Sequence, residues 1–370
     1  MWWSPGWRSR FSGWPSVCGP RPCGSGLLTL GFLLLGNLTQ GGFRIAFAAP
    51  LRILPPGRHY VAAASSITNG AEWLRSFTSI QSGLYRSPST HPPFAVLLHR
   101  VLSDPTIIAV VFTLVASLSV LLVRRTLIVL GVHERRATLA ALFFALIPAF
   151  NIYGGVSLDG VILTTSTLCL LGLARLTHEA KWSWGAFSWL AAGFLLTNAL
   201  TLGGLFLAGV MLVFAFGNRT AARALLLVAD RGAACLAAMK FGLGYDHVAA
   251  FRNASIAENP LGFELVGNTR HYLFTRFENV GNILLFFSIP ALAVFFHRRS
   301  ERIGVAGMAV LGAMFLAGSC RTGEAARATM FIFPFLVLSF RDSGESVLRY
   351  LVAGAGIQTI LMQLVGGYGC

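Results

Sequence analysis

The sequence predicts an all-α integral membrane protein with about eleven transmembrane helices, in a range of roughly nine to thirteen. Of its 370 residues, 55% are hydrophobic and only 12% are charged, and the mean hydropathy is +0.68. Soluble domains carry about 25% charged residues. Apolar runs long enough to cross a membrane recur to the end of the chain. We therefore predict one membrane domain over residues 26–370, preceded by a flexible tail over residues 1–25.

The net charge of +15 is concentrated at the ends of apolar runs. The pairs Arg124-Arg125 and Arg135-Arg136 bracket a short connection, as the positive-inside rule expects of a cytoplasmic loop. No basic stripe with interleaved aromatic residues lies outside the membrane segments, so we predict no nucleic-acid partner. The six cysteines are scattered, which predicts neither a disulfide framework nor a zinc site.

The first crossing is predicted at Gly26–Phe43, and with a cytoplasmic N-terminus it brings the chain to the outer side. Residues 44–103 contain no clean apolar run of about 18 residues. They alternate short amphipathic stretches with Pro and Gly instead. This pattern predicts a long outer loop with helices lying on the membrane.

The remaining crossings follow from the apolar runs between polar links. Residues 184–216 have room for two shorter helices that meet on the outer side, and a second long outer loop is predicted over residues 242–279. The other crossings are predicted near residues 105–123, 137–153, 161–176, 224–241, 280–296, 303–318, 328–340 and 350–365.

Two residues at the outer ends of crossings are candidates for a site. Asp159 in GGVSLDG would be costly facing lipid, so we predict that it faces a polar cavity; a helix N-cap is the alternative. His91 precedes Pro92 and Pro93 in STHPPF. These prolines fix the backbone and hold His91 near the outer face, either for substrate contact or as a purely structural elbow.

Arginine is abundant in the first outer loop, where Arg58 and Arg86 are two of six before the next crossing, and Glu72 is the lone acid before Asp104. A guanidinium fork suits phosphate oxygens, so the loop predicts a phosphate site. The alternatives are an anionic-lipid contact, or a different topology in which this loop is not on the outer side. Near the C-terminus, GEAAR places Glu324 and Arg327 on one helical face. They form either an i,i+3 ion pair or a unit in which Arg327 binds phosphate and Glu324 orients it.

No metal or other cofactor is expected from the sequence. His247 and His271 lie among several acids in the second outer loop, but no two ligands there have i,i+3 or i,i+4 spacing. A divalent ion in this loop is the alternative.

The order of these features resembles the polytopic glycosyltransferases with the GT-C fold. The nearest group is glycosyltransferase family 39, the protein O-mannosyltransferase and aminoarabinose-transferase-like enzymes. The resemblance covers residues 26–216, through HPPF, SLDG and WLAAGFLLTNALTLGGLFLAGVMLVF, and later includes GYDHVAAF and GEAARATMFIFP. It implies an enzyme of the cell envelope, in a bacterial inner membrane, that uses a polyprenyl-phosphate-linked sugar on the outer side. The lipid bilayer and that donor are the implied partners, and the acceptor stays open.

The chain departs from the group at one position. Members carry an acid shortly before a tyrosine in the first outer loop, and the resemblance gives that acid the role of base. The matching stretch LPPGRHYVAAASSI has no acid before Tyr60. An inverting transfer needs a base within reach of the acceptor hydroxyl. Glu72 is the predicted substitute for this base. His59 or His91 is the second possibility, and the third is that the protein has lost its activity.

The predicted catalytic residues are therefore Glu72, His91 and Asp159, and the predicted substrate-binding residues are Arg58, Tyr60, Arg86, Glu324 and Arg327. The alternative function is a non-catalytic protein that binds or translocates a polyprenyl-phosphate lipid. A transporter or channel would need charges at several mid-membrane positions, and only the adjacent Asp230 and Arg231 qualify.

Overall fold

The computed structural model describes Gly31 and residues 57–179, 182–259, 262–295, 302–318 and 323–365. The predicted tail, the first crossing apart from Gly31, and the loop residues 44–56 lie outside this part of the chain. Within the described ranges, every regular element is a helix and there is no strand. The predicted all-α class is confirmed.

Four α-helices lie in the described part of the predicted first outer loop, residues 57–103. They are α1 (Gly57–Ser65), α2 (Gly70–Ile80), α3 (Arg86–Ser89) and α4 (Pro93–Leu102). Helix α2 begins where the Asn69 side chain accepts hydrogen bonds from two backbone N–H groups, and it buries one apolar face through Trp73 and Phe77. Pro93 is the first residue of α4, a position where its missing N–H costs nothing. The predicted amphipathic helices of this loop are present.

Two of the longest helices flank a broken segment. Helix α5 (Pro105–Val129) is followed by α6 (Glu134–Leu146), α7 (Pro148–Tyr153) and α8 (Leu158–His178). The crossing predicted at 137–153 is two helices, because Pro148 lacks an N–H and Ile147 before it is extended, with φ −59° and ψ 131°.

The region predicted to hold two shorter helices does so. They are α9 (Trp184–Leu200) and α10 (Leu205–Ala215), joined by a short 3₁₀ turn. The remaining helices are α11 (Arg219–Leu243), α12 (His247–Glu258), α13 (Glu264–Gly267), α14 (Thr269–Phe287), α15 (Ile289–Phe295), α16 (Arg302–Leu316), α17 (Ala325–Ala328), α18 (Phe333–Val337) and α19 (Glu345–Val365).

Two predicted boundaries differ from the structure. The second outer loop, residues 242–279, is largely helical, and its predicted end falls inside α14. The crossing predicted at 328–340 is a chain of short α and 3₁₀ turns, with Pro334 at the start of α18. In the first region the helix begins before the apolar run, and in the second the apolar run is longer than any one helix that it forms.

Helix α8 is the central element. Most of its residues are buried, and it packs against α5 and α9. Glycines allow these close approaches: a Cβ at Gly172 would meet the Leu190 backbone, and one at Gly193 would meet the Cys169 backbone. Small residues at helix contacts are typical of membrane proteins, where close backbone packing replaces hydrophobic burial as the driving force.

The chain is an integral membrane protein. Among the described residues, α5, α8 and α19 are long and apolar enough to cross a bilayer, and several apolar helices of 10–17 residues accompany them. The total of about eleven crossings stays a prediction.

Candidate functional site

Asp159 lies in the first turn of the central helix. The N-cap of α8 is Ser157, whose hydroxyl accepts a hydrogen bond from the Asp159 backbone N–H at 3.1 Å. The same hydroxyl donates to Asp159 Oδ2 at 2.9 Å. The capping role that was the alternative for Asp159 thus belongs to Ser157. The Asp159 carboxylate benefits from the positive end of the helix dipole and is available for a longer-range contact.

The turn before Asp159 is strained. Val156 is buried and has φ of 56°, which is a costly conformation for a β-branched residue, at about 1–3 kcal/mol. Its backbone N–H donates to Thr113 Oγ1 on α5 at 3.1 Å. This contact holds the GGVSLDG turn in place, and strain of this kind clusters at functional sites.

Arg327 is the partner of Asp159, although 168 residues separate them. Its Nε donates to Asp159 Oδ2 at 2.8 Å, and the two side chains are 22% and 16% exposed. Helix α17, which carries Arg327, is held by the Asn282 side chain, whose Oδ1 accepts from the Ala326 N–H at 2.7 Å. The short segment after α17 is tied to α8 by the Ser166 hydroxyl, which donates to the Phe331 carbonyl.

The first outer loop brings Tyr60 and His91 to this ion pair. Their rings make an edge-to-face contact with centroids 5.7 Å apart, and the Tyr60 hydroxyl donates to the Ser87 carbonyl at 3.2 Å. The pKa of Tyr60 is raised well above its usual value, first by burial and next by the Asp159 carboxylate, while Arg327 opposes the shift. Tyr60 is therefore a neutral phenol within electrostatic reach of both charges.

His91 has a defined tautomer. Its Nδ1 lies 3.0 Å from the Ser87 carbonyl oxygen, which can only accept, so Nδ1 carries the proton and Nε2 has the lone pair. Burial lowers the pKa of His91 below 6.5, and Arg327 adds to that shift, whereas Asp159 and the Ser87 hydrogen bond oppose it. At neutral pH the imidazole is uncharged and is able to accept a proton at Nε2.

Glu258 joins from the end of α12, in the second outer loop. Its carboxylate lies 3.7 Å from the Arg86 guanidinium in a half-exposed ion pair. Burial raises the pKa of Glu258; Arg86 lowers it and Glu324 raises it further. Glu324 is exposed at the residue before α17. The second outer loop and the GEAAR segment therefore meet the first outer loop here.

Among the described residues, guanidiniums do not outnumber carboxylates in this cluster. Three carboxylates, those of Asp159, Glu258 and Glu324, accompany the guanidiniums of Arg86 and Arg327. Arg100, another arginine of the first loop, makes a different contact and donates to the Ile67 carbonyl at 3.1 Å.

Two predicted site residues stand apart. Glu72 is exposed in the first turn of α2, and in the described part of the chain its carboxylate forms no ion pair. Arg58 is exposed in α1, and no described residue pairs with it. The arrangement therefore gathers Tyr60, Arg86, His91, Asp159, Glu324 and Arg327, and leaves out Glu72 and Arg58. The roles assigned to these residues stay predictions.

Each histidine considered for a metal has a partner of its own. His247 Nδ1 lies 3.1 Å from the Tyr245 hydroxyl, and His271 Nδ1 lies 2.7 Å from Glu264 Oε2. Across the described ranges, no three His, Cys, Asp or Glu side chains form a group suited to a metal ion.

Sequence reasoning missed the place of Glu258. It was only one of several acids in the predicted second outer loop. The available signal was local: Asp246 caps α12 by accepting from the N–H groups of Val248 and Ala249, which fixes a 12-residue helix with Glu258 at its last position. Its closeness to Arg86 depends on packing between two loops that the sequence does not encode locally.

No protein-family model and no curated protein matches the chain. A comparison with solved structures finds ArnT from Cupriavidus metallidurans, determined bound to undecaprenyl phosphate, with 15% sequence identity and a TM-score of 0.45. The match covers 91% of this chain and 62% of ArnT, so this chain spans less than two thirds of the ArnT length. At this level of similarity, neither residue roles nor activity transfers from one protein to the other.

Proposed function

We propose that this protein is a GT-C-like membrane glycosyltransferase that moves a sugar from a polyprenyl-phosphate donor to a hydroxyl-bearing acceptor. The observation that carries the proposal is the Asp159–Arg327 ion pair at the head of the central helix, with Tyr60 and His91 beside it. Segments that are distant in the sequence supply a neutral imidazole, a carboxylate and a guanidinium at one end of an apolar helix bundle. These are the groups that sugar transfer from a lipid phosphate requires.

The roles follow from the chemistry of each group. His91 Nε2 accepts the proton of the acceptor hydroxyl as its oxygen forms a bond to the anomeric carbon. The bond from that carbon to the phosphate oxygen breaks, and the polyprenyl phosphate leaves with the electron pair. Arg327, oriented by Asp159, and Arg86 offset the negative charge that develops on the leaving phosphate.

The charge of the cluster favours an enzyme over the lipid-binding alternative. A site that only retained an anionic lipid would gain from an excess of guanidiniums. Among the described residues of this cluster, three carboxylates accompany two guanidiniums. Carboxylates lower the affinity of a site for phosphate, because both groups are negatively charged. They can, however, orient an arginine, a histidine and the hydroxyl groups of a sugar. The proposed chemistry uses both kinds of group.

The proposed orientation places the cluster on the outer side of a bacterial inner membrane. Asp159 begins α8, whereas the arginine-bearing connection between α5 and α6 lies at the other end of the bundle, where Arg124 and Arg135 pair with Glu134 and Glu345. By the positive-inside rule that end faces the cytoplasm. A polyprenyl phosphate would then meet the cluster at the headgroup level of the outer leaflet.

The test is a comparison of lipid-linked sugars in cells with and without the gene, followed by transfer assays with the purified protein in detergent. We expect the polyprenyl-phosphate sugar donor to accumulate without the gene. The variants Asp159→Asn and His91→Gln should lower transfer by at least about 100-fold, the usual scale for losing a general base or an electrostatic group.

Glu72→Gln is the matched control, because Glu72 is a carboxylate of the same loop that lies apart from the cluster. We expect near-normal transfer from it. If Glu72→Gln abolishes transfer and His91→Gln does not, the base is Glu72. If the purified protein binds the donor and never consumes it, the lipid-binding alternative is correct.

A further inference from the structure

A basic and aromatic cluster lies at the end of the bundle opposite the candidate site, where α8 ends and α9 and α11 begin. The Arg175 guanidinium lies 5.3 Å from the centre of the Trp189 ring, and that of Arg223 lies 4.4 Å from the centre of the Trp182 ring. Trp182 also makes an edge-to-face contact with Trp184. At 1.5 Å per residue, Arg175 is about 24 Å along α8 from Asp159, which approaches the thickness of a hydrocarbon core.

The arginines of this cluster differ from three others at the same end. Arg124, Arg135 and Arg349 are paired with the carboxylates of Glu134 or Glu345. For Arg175, Arg223 and Arg219, which lies one turn before Arg223 on α11, the described residues provide no ion pair. No described carboxylate therefore offsets the charge of these guanidiniums by direct contact.

Two hydrogen-bond donors in the cluster are buried without an acceptor. They are Arg175 Nε and the indole Nε1 of Trp182, and neither has a partner among the described residues. Leaving a buried donor without an acceptor costs about 1–3 kcal/mol. Both atoms are donors, and the nearby guanidiniums are positively charged, so an anionic oxygen is the acceptor that suits them. A phosphate offers several such oxygens, and arginine matches them in pairs.

We propose that this cluster, formed by Arg175, Trp182, Trp189, Arg219 and Arg223, binds the phosphate of an anionic phospholipid headgroup. The tryptophans favour a lipid over a soluble phosphate. Trp184 and Trp189 are 61% and 40% exposed, and large exposed indoles at the end of an apolar bundle lie at the headgroup level of a membrane. The site is separate from the candidate glycosyltransferase site and does not depend on its activity.

The experiment uses the full-length protein purified into nanodiscs of phosphatidylcholine, with or without phosphatidylglycerol. Thermal unfolding reports stabilisation, and native mass spectrometry reports lipids retained after release into detergent. We expect phosphatidylglycerol to raise the unfolding temperature and to be retained. Removing one arginine near a lipid surface should weaken retention roughly three- to tenfold.

Arg223→Gln is the primary variant, because Arg223 is exposed and its replacement is expected to leave the fold intact. Arg175→Gln is the second. Arg252→Gln is the matched control, since it makes the same charge change on exposed α12, near the other end of the bundle. Arg223→Lys keeps the charge without the planar fork and should bind with intermediate strength.

Three results would overturn the proposal. Equal losses in Arg223→Gln and Arg252→Gln would mean that only net charge matters. Equal stabilisation by phosphatidylcholine alone would exclude an anionic headgroup. Stabilisation by millimolar inorganic phosphate in neutral nanodiscs, equal to that by phosphatidylglycerol, would identify the ligand as a soluble anion.

Discussion

At the scale of single residues, the Asp159–Arg327 pair has both a structural and a proposed functional role. The two groups are mostly buried, and removing either one breaks the charged hydrogen bond between them. A hydrogen bond between charged groups contributes about 1.5–3 kcal/mol. We expect Asp159→Asn and Arg327→Gln each to lower the free energy of unfolding by about 1–3 kcal/mol.

The double variant provides the control. Because both single changes break the same contact, the double variant should lose about as much stability as either one alone, a coupling of about 0.5–3 kcal/mol. Thermal unfolding in detergent measures this. Additive losses would mean that the two groups act independently.

The neutral state of His91 predicts a pH dependence. Because burial lowers its pKa, transfer should persist below pH 6.5 and decline only as the pH falls through the lowered value. Asp159 raises that pKa, so in Asp159→Asn the residual activity should decline at a still lower pH. A rate profile against pH for both proteins tests this. A decline at the same pH in both would remove His91 as the titrating base.

The stability of the folded protein also depends on the protonation of His91. Below pH 6.5 the unfolded chain protonates His91 while the folded protein still excludes that proton. The unfolded state then binds more protons, so stability falls as the pH falls from 6.5 toward the lowered pKa. His91→Gln should remove this part of the pH dependence of the unfolding temperature.

Replacing Glu258 is expected to lower sugar transfer without lowering the stability of the fold. Its raised pKa means that the folded state disfavours the ionised carboxylate, so its contribution to stability is lost as the pH rises from 4.5 through the raised value. Its half-exposed pair with Arg86 contributes about 0–1 kcal/mol. We expect Glu258→Gln to leave the unfolding temperature at neutral pH unchanged or higher, while transfer falls.

The pair of readouts distinguishes a site residue from a structural one. A loss of more than about 1 kcal/mol in Glu258→Gln would mean that the Arg86 contact supports the fold. Unchanged transfer would place Glu258 outside the proposed reaction. Glu264→Gln serves as a control in the same outer loop, because its partner is His271.

The sequence identified individual site residues where the chemistry of a side chain and its position relative to an apolar run pointed to the same role. Asp159 was recognisable because a carboxylate at the end of an apolar run needs a polar environment. Arg327 was recognisable by its charge, but its pairing with Asp159 was not, because 168 residues separate them. Glu72 was selected because it is the lone acid of the predicted first outer loop before Asp104. Side chains on one amphipathic helix can face different surroundings, and Glu72 faces away from the cluster.

At the scale of helices, hydrophobic runs predicted which segments are helical better than where they break. The division of residues 184–216 into two helices was predicted, because the polar TNALTLGG interrupts the run. The break at Ile147 and Pro148 was not, because one proline in an apolar run either kinks a helix or ends it. Which outcome occurs depends on the neighbouring packing.

The contact between α8 and α9 predicts the effect of filling space at glycines. A methyl group at Gly172 or Gly193 would collide with backbone atoms of the other helix, and backbone cannot rotate away. We expect Gly172→Ala and Gly193→Ala each to cost about 1–3 kcal/mol, the usual penalty for overpacking, measured by thermal unfolding. Gly185→Ala in α9 is the control, since its nearest atom would be the Ser183 hydroxyl at 3.7 Å. Equal stability in all three variants would mean that the two helices are not in close contact.

At the scale of the whole molecule, the fold separates two kinds of charge. Carboxylates, guanidiniums and His91 gather at the start of α8, and the basic connections with Trp182, Trp184 and Trp189 lie at its end. Composition alone predicted the membrane class, because 12% charged residues cannot cover a soluble protein of this size. Composition did not predict how the site assembles, because the assembly depends on packing between segments that are more than 100 residues apart in the chain.

This separation predicts how the two ends are exposed in cells. In a variant without the six native cysteines, single cysteines at Ser66 and Ala257 report the end with the candidate site, and those at Glu134 and Glu179 report the other end; all four residues are exposed. We expect a membrane-impermeant thiol reagent to label the first two in intact cells and the last two only after the membrane is opened. The physical reason is the arginine-rich connection between α5 and α6, which the positive-inside rule retains in the cytoplasm. Labelling of Glu134→Cys in intact cells would reverse the orientation and place the candidate site inside, where a donor presented in the outer leaflet cannot reach it.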